Sequence, residues 1–175
     1  MIGLLLGVLA WAGPPAGWDV TGIGYRAKVS QEAKDGAQSG QLTGGSNAQG
    51  FGTLFQSIVA RNYKGKRVRM TVWLKTEEVD GWSGAWLRVD RLTKAVAFDN
   101  MQDRALRGTH DWSKQTLVVD VPQDAGRIFF GGILSGEGTL WVDALELEVV
   151  DTSVPVTDQL VRPKPPAPKN LGFEG

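Results

Sequence analysis

The chain contains no cysteine, and this absence excludes several classes of chemistry. Disulfide frameworks, thiolate zinc sites and cysteine nucleophiles cannot form, while both reducing and oxidising compartments stay compatible with the composition. The single histidine, His110, cannot assemble a histidine-rich metal site or a Cys–His pair. These classes of metal site and nucleophile are therefore excluded.

Net charge is also lacking, because 19 Lys and Arg residues balance 19 Asp and Glu residues. A chain without net charge has no long-range attraction for nucleic acid. The segment 61–75 does carry six basic residues, interleaved with Tyr63 and Trp73. Strand alternation would scatter these charges over a turn and a sheet edge, where lysine commonly guards against strand pairing. We therefore predict no nucleic-acid partner.

Long hydrophobic runs are missing except in the apolar head, residues 1–12. Its apolar run of about ten residues is too short to cross a bilayer, so no membrane span is predicted. Two interpretations of the head are open. It resembles a secretory signal, which would place the protein outside the cytoplasm, although no Lys or Arg precedes the run as such a signal requires. Alternatively, it forms a strand or short helix packed on the domain.

The chain is rich in turn-forming residues and tryptophan, with 23 glycines and seven tryptophans among 175 residues. A chain of this length favours one domain with a sizeable core. From Tyr25 onward, short segments alternate with period two between Gly, Asp, Asn and Lys clusters, and none predicts a long helix. The sequence therefore predicts an all-β, antiparallel two-sheet sandwich. The nine predicted strands are 25–31, 39–43, 53–60, 67–76, 85–91, 95–100, 114–121, 127–134 and 139–150. Residues 79–81, Val-Asp-Gly, are expected to form a turn between strands 67–76 and 85–91.

The composition changes after Val150, where five prolines fall within residues 151–169. Such a segment favours an extended, polyproline-like crossing over a packed element. We predict that it carries residues 170–175 back to an edge of the sandwich formed by residues 13–150. The terminal hexapeptide, Asn-Leu-Gly-Phe-Glu-Gly, would then be a tenth strand of the same domain. The alternatives are that it begins a second module or that it pairs with a neighbouring molecule.

Several motifs resemble those of carbohydrate-binding-module jelly rolls in the galactose-binding-like superfamily. The resemblance rests on Gly17-Trp18, Asp35–Thr43, Tyr63–Lys75, Asp111-Trp112, Leu140–Asp143 and the terminal Asn170–Glu174. The last of these resembles the opening strand of that family, so its place at the C-terminus indicates a circular permutation. A closer likeness, carried by Phe98–Arg104 and Gly108–Trp112, is to an accessory domain of bacterial regulatory or peptidase proteins.

The same resemblance implies a structural calcium ion between Asp143 and Glu174. Carboxylate oxygens suit calcium, yet the ion takes six to eight oxygen ligands and these residues supply only part of such a set. This chain also has Asp143-Ala144 where the family often carries Asp-Asp. A turn or an arginine partner is the alternative role for Asp143, and no cofactor is required.

A candidate ligand surface follows from the alternation of two predicted strands. On strand 85–91, Trp86, Arg88 and Asp90 point to one side and the intervening aliphatic residues point to the other. On strand 67–76, Trp73 likewise lies on the polar side. If the two strands are neighbours, these four residues and Asp99 share one surface, on which rings stack a ligand and charges orient it.

Two functions follow from this surface. The first is a noncatalytic binding module for a carbohydrate or similar polar ligand. The second is a structural or protein-interaction domain, in which the tryptophans cap the core and Arg88–Asp90 is an ion pair. No enzyme is predicted, because no activated nucleophile or base is visible and the sequence does not fix the separation of Asp90 and Asp99. The sequence also does not fix the ligand or the oligomeric state.

Overall fold

The computed structural model describes residues 13–161 and confirms the antiparallel all-β prediction. Within this range the chain forms nine strands and two short 3₁₀ turns, and no helix is long and apolar enough to span a membrane. The strands are β1 (Asp19–Thr21), β2 (Tyr25–Ser30), β3 (Ser39–Gly44), β4 (Phe51–Val59), β5 (Lys66–Arg91), β6 (Lys94–Asp99), β7 (Leu106–Val121), β8 (Arg127–Ser135) and β9 (Gly138–Val150). The turns are Ala60–Asn62 and Gln102–Arg104.

The strands form two layers that share β5. The front sheet has the order β1-β4-β8-β5-β6 and uses the C-terminal half of β5. The back sheet has the order β2-β3-β9-β5-β7 and uses mainly the N-terminal half of the same strand. Apolar side chains from both layers fill one core between them. The largest fully buried ones include Leu42, Leu54, Met70, Leu74, Leu87, Met101, Leu117, Ile128, Leu134 and Leu140.

Both halves of β5 direct aliphatic side chains into the core. This is possible because the inward-facing positions change from even to odd residue numbers part-way along the strand. The even-numbered aliphatic residues from Val68 to Leu74 are fully buried in the back sheet, and the odd-numbered ones from Ala85 to Val89 are fully buried in the front sheet. Between these stretches the pairing register shifts, and Glu78 adopts a positive φ of 51°. A bulge of this kind turns the side chains that follow to the opposite face.

The predicted strands 67–76 and 85–91 are therefore wrong as separate elements, because β5 runs through both. Residues 79–81, expected as a turn, stay extended: Val79 pairs with Gly108, and the Asp80 amide donates to the Glu137 carbonyl at 3.2 Å. Strand β7 begins at Leu106 instead of the predicted 114, and β1 was not predicted. Both differences involve pairing between segments distant in sequence.

After β9, residues 151–161 cross the open edge of the sandwich and bond to both sheets. The Thr157 amide donates to the Val118 carbonyl of β7 at 2.8 Å, and the Gln159 amide donates to the Phe98 carbonyl of β6 at 2.7 Å. In return, the Phe98 amide donates to the buried Asp158 carboxylate at 3.1 Å. This segment is thus packed on the sandwich, which corrects the prediction for the first part of the crossing.

The remaining predictions about the chain ends lie outside the described residues. These are the signal-like head at 1–12, the rest of the crossing at 162–169 and the terminal strand at 170–175. The circular permutation that depends on the terminal strand stays a prediction for the same reason.

Replacing Asp158 by alanine should lower the free energy of unfolding by about 1–3 kcal/mol, because the partly buried Phe98 amide loses its acceptor. Asp151→Ala is the matched control, since the exposed Asp151 carboxylate accepts local bonds, including one from the Ser153 amide at 2.8 Å, and its removal should change stability by no more than about 0.5 kcal/mol. Urea denaturation of both variants measures the difference. Equal stability of the two variants would show that the crossing does not hold β6.

Candidate functional site

The outer face of the front sheet holds a groove of about 610 Å³. All five strands of the sheet, or the residues beside them, contribute to its lining. Six aromatic side chains dominate it, and polar groups lie among them. The aromatic residues are Phe51, Phe55, Trp82, Trp86, Phe98 and Phe129, and the polar ones are Thr21, Thr53, Arg88, Asn100, Gln102 and Ser135.

Strand register brings three of these aromatic rings together at the centre of the groove. Phe55 of β4 and Trp86 of β5 both pair with Gly131 of β8, which lies between them. Because Gly131 carries no side chain, the two rings approach across β8 to 5.8 Å between centroids. Phe129, two residues along β8, stacks on Trp86 at 6.5 Å with an interplanar angle of 16°. The groove thus has a continuous aromatic wall.

Glycine is required at two places under this wall. A Cβ atom on Gly131 would collide with the carbonyl oxygen of Leu54 and the Cα of Phe55. A Cβ atom on Gly84 would meet the Cβ of Met101 at 2.9 Å. The close approach of neighbouring strands and of the segment after β6 therefore depends on these glycines.

Arg88 provides a fixed charged group beside the aromatic wall. Its Nε donates to Asp90 Oδ1 at 2.6 Å and its Nη2 donates to Oδ2 at 2.8 Å. Asp90 is 5% exposed, whereas the Arg88 side chain is 37% exposed and its guanidinium carbon lies 5.8 Å from the Phe129 ring centroid. The Asp90 carboxylate thus fixes the orientation of Arg88, and it is itself buried and not exposed in the open groove.

The prediction that Asp99 shares this surface is wrong. Asp99 is fully buried and pairs with core-facing Leu87, while its neighbour Phe98 points into the groove. Its carboxylate accepts bonds from Arg104 Nη2 at 2.7 Å and from the Met101 amide at 2.9 Å. Burial alone would lower the pKa of Arg104, but the hydrogen bond and charge of Asp99 raise it overall. Asp99 therefore anchors the turn that follows β6.

Trp73 also lies elsewhere, on the outer face of the back sheet. It contributes to a separate cavity of about 320 Å³, and the Lys34 ammonium sits 4.3 Å from its ring centroid. The expectation that Trp73 and Trp86 share one surface is wrong, because they belong to two halves of one strand that serve different sheets. The structure brings together Trp86, Arg88 and Asp90 but separates Trp73 and Asp99 from them.

The charges on the back-sheet face largely pair with one another. Lys75 Nζ donates to Glu32 at 2.8 Å, and Arg69 Nε donates to Glu148 at 2.8 Å. The hydrogen bond to Lys75 lowers the pKa of Glu32, and the same bond raises the pKa of Lys75. The bond to Arg69 likewise lowers the pKa of Glu148. Because these side chains are partly or largely exposed, each pair contributes little to stability.

The surroundings of Asp143 do not fit a calcium ion. Its Oδ2 accepts the backbone amides of Lys34 and Asp35 at 2.7 and 3.0 Å, and its Oδ1 accepts the Ala144 amide at 2.7 Å. These donors satisfy an anionic carboxylate but supply no oxygen ligands, of which calcium needs six to eight. No group of three or more acidic or histidine side chains among residues 13–161 could hold a metal ion. Glu174 lies outside the described residues.

Sequence reasoning missed most of the aromatic residues in the groove. Phe55 was within reach of the same argument as Trp86, because it lies in the predicted strand 53–60. Phe51 was not, because the observed strand begins two residues before the predicted one. The run Phe129-Phe130-Gly131-Gly132 carried a further signal, since paired glycines inside a strand mark a close approach of other groups. Trp82 could not be placed while residues 79–81 were expected to form a turn.

No family model matches the chain. Over 126 residues the chain is 40% identical to an uncharacterized HTH-type transcriptional regulator, YbfP, of Bacillus subtilis (strain 168). The match covers 71% of this chain and 43% of the regulator, so the chain spans less than half of that relative's length.

Two solved structures show a similar fold. The CBM22-1 xylan-binding domain of Paenibacillus barcinonensis Xyn10C has a TM-score of 0.58 and 18% identity, covering 81% of this chain and 91% of that domain. The enzymatically active domain of tailspike protein 4 of bacteriophage CBA120 has a TM-score of 0.60 and 16% identity. That match covers 77% of this chain and 20% of the tailspike chain. The chain therefore shares the antiparallel β-sandwich, or jelly-roll, fold of these two structures.

Replacing Gly131 by alanine should lower the free energy of unfolding by about 1–3 kcal/mol, because the new methyl group collides with the backbone of β4. Gly126→Ala is the control: its Cβ would make only an ordinary contact of 3.6 Å with the Asp90 carbonyl oxygen. We expect a change within about 0.5 kcal/mol for this control. Thermal and urea unfolding test both variants, and a stable Gly131→Ala protein would contradict the described packing of β4 on β8.

Proposed function

We propose that this domain is a noncatalytic module that binds a saccharide along the front-sheet groove. The observation that carries the proposal is the set of six aromatic side chains on one concave sheet face. Sugar rings have apolar faces that stack on aromatic rings, and a groove open along a sheet suits an extended chain of such units. The aromatic wall would supply most of the binding free energy.

The polar groups of the groove supply the hydrogen bonds that a hydroxyl-rich ligand needs. The hydroxyls of Thr21 and Thr53 lie 2.7 Å apart, and Asn100 and Gln102 lie beside Phe98 at the other edge of the sheet. Arg88 stands between the two edges with a fixed orientation. Donors and acceptors are thus distributed across the groove, as orientation of a sugar requires.

The proposal assigns no catalytic step to the groove. The two carboxylates considered for glycosidase chemistry, Asp90 and Asp99, do not face one common space. Asp90 binds Arg88 through both oxygens, and Asp99 lies on the core side of β6. A pair of carboxylates flanking a scissile bond is what such chemistry requires.

The comparisons support this proposal through the names of the similar proteins. The Paenibacillus neighbour is a xylan-binding domain, and its fold covers most of this chain. The Bacillus relative is named as a transcriptional regulator of HTH type. We propose that a module of this kind senses a saccharide when it is joined to a regulatory protein. The likeness of Phe98–Arg104 and Gly108–Trp112 to an accessory domain of such proteins agrees with that role.

Replacing Trp86 by alanine should weaken saccharide binding by about tenfold or more, as expected when a central aromatic contact is removed. A glycan array followed by isothermal titration calorimetry measures this effect. Trp73→Ala is the matched control, because it removes the same side-chain type from the same strand but from the back sheet.

Two results would contradict the proposal. The first is the absence of binding to any glycan by the folded wild-type protein, which would favour the protein-interaction alternative. The second is a loss of affinity that is equal in the Trp73 and Trp86 variants, since only Trp86 lies in the groove. Circular dichroism and unfolding midpoints of both variants establish that each is folded.

A further inference from the structure

We propose that the end of the groove beside Phe129 selects saccharides that carry a carboxylate, such as chains containing uronic acid. This inference rests on the proposed saccharide function and names a ligand class within it. It is carried by two guanidinium groups that lie against one aromatic ring. Arg88 Cζ is 5.8 Å and Arg127 Cζ is 5.9 Å from the centroid of Phe129.

Arg88 retains hydrogen-bond donors that are directed away from its own partner. Asp90 uses Nε and one N–H of Nη2, so both N–H groups of Nη1 and the second N–H of Nη2 form the unused edge of the guanidinium. Arg88 itself lines the groove, so a ligand there can reach these unused donors. This edge matches the two oxygens of a carboxylate.

Arg127 adds a positive charge that is not neutralised by an ion pair. Its Nη2 donates to the Ser57 hydroxyl at 2.8 Å, and it belongs to none of the salt bridges among residues 13–161. Ser57 is a neutral acceptor, so this bond brings no carboxylate to offset the guanidinium. Around Phe129 there are therefore two guanidiniums and one carboxylate, which leaves one net positive charge.

The other nearby charges do not cancel this excess. Arg91 and Asp124 pair with each other at 2.6 Å in the adjacent loops. Asp19, on the edge strand β1, pairs with Phe55, whereas Arg127 pairs with Val59 on the same strand β4. Four residues along a strand amount to about 13 Å, so the backbone of Asp19 is offset from that of Arg127 along the sheet by more than the screening length of about 8–10 Å in ordinary buffers.

The arrangement distinguishes acidic from neutral sugars by charge and by geometry. A sugar ring stacked on Trp86 would lie beside the neighbouring Phe129 ring, over which the two guanidiniums lie. Substituents at the edge of that sugar would then meet the guanidiniums. A carboxylate there accepts charge-assisted hydrogen bonds, which are about twice as strong as neutral ones. A hydroxymethyl group at the same position offers one neutral oxygen and gains nothing from the net charge.

Matched acidic and neutral oligosaccharides test the inference. Oligogalacturonate with its methyl ester, and glucuronic-acid-substituted xylo-oligosaccharide with its unsubstituted backbone, are titrated into the intact protein by calorimetry at low and high salt. We expect at least one acidic member to bind about tenfold or more tightly than its neutral counterpart at low salt, and this preference to shrink as salt rises.

Arg127→Gln should reduce the acidic preference to about threefold or less while preserving binding of the neutral counterpart. Arg69→Gln is the control, since it removes an exposed arginine from the back sheet and should leave the preference intact. Arg127 is exposed, so its replacement should not prevent folding.

The possible failures are distinguishable. Neutral members that bind as tightly as acidic ones, or an acidic preference that is unchanged in Arg127→Gln, would overturn the inference and leave the saccharide proposal standing. If no glycan binds, either on the array or in these titrations, both the saccharide proposal and the carboxylate inference would be overturned.

Discussion

The arrangement of the whole domain depends on the continuity of one long strand. Strand β5 pairs with β7 and β9 in the back sheet and with β8 and β6 in the front sheet. Its bulge near Glu78 changes the phase of alternation, so aliphatic side chains from both halves enter the same core. Without that change of phase, one half would expose its aliphatic side chains and bury its polar ones. The two outer faces of the sandwich are therefore set by this strand.

The groove forms where β5 and β8 carry glycine in place of residues with side chains. Gly84 and Gly131 lower the floor between larger residues, and Phe55 and Trp86 meet above Gly131. The edge strand β6 is held in place by a hydrogen bond from the Phe98 amide to the buried Asp158 carboxylate. The Phe98 side chain in turn lines the groove. Most of the groove lining thus comes from paired strands, with Gly50, Asn100 and Gln102 adjoining them, and such a framework favours a preformed shape.

The sequence predicted the fold class, most strands and the inward faces of β5 because period-two alternation is a local property. It failed where pairing partners decided the outcome. Residues 79–81 have the composition of a turn but stay extended because they pair with distant segments. The same misjudged turn made Trp73 and Trp86 seem to be on neighbouring strands. Asp99 was misplaced because its burial depends on Arg104, a partner that alternation alone cannot reveal.

The most direct test of the central claim uses the indole N–H signals of the seven tryptophans. These signals can be assigned by single substitutions in ¹⁵N-labelled protein. They can then be followed while an oligosaccharide that binds the protein is added. We expect the indole signals of Trp82 and Trp86 to shift, and those of Trp73 and Trp141 on the back sheet to stay unchanged. Shifts confined to Trp73 and Trp141 would place the ligand on the other face and rule out the front-sheet groove as its site.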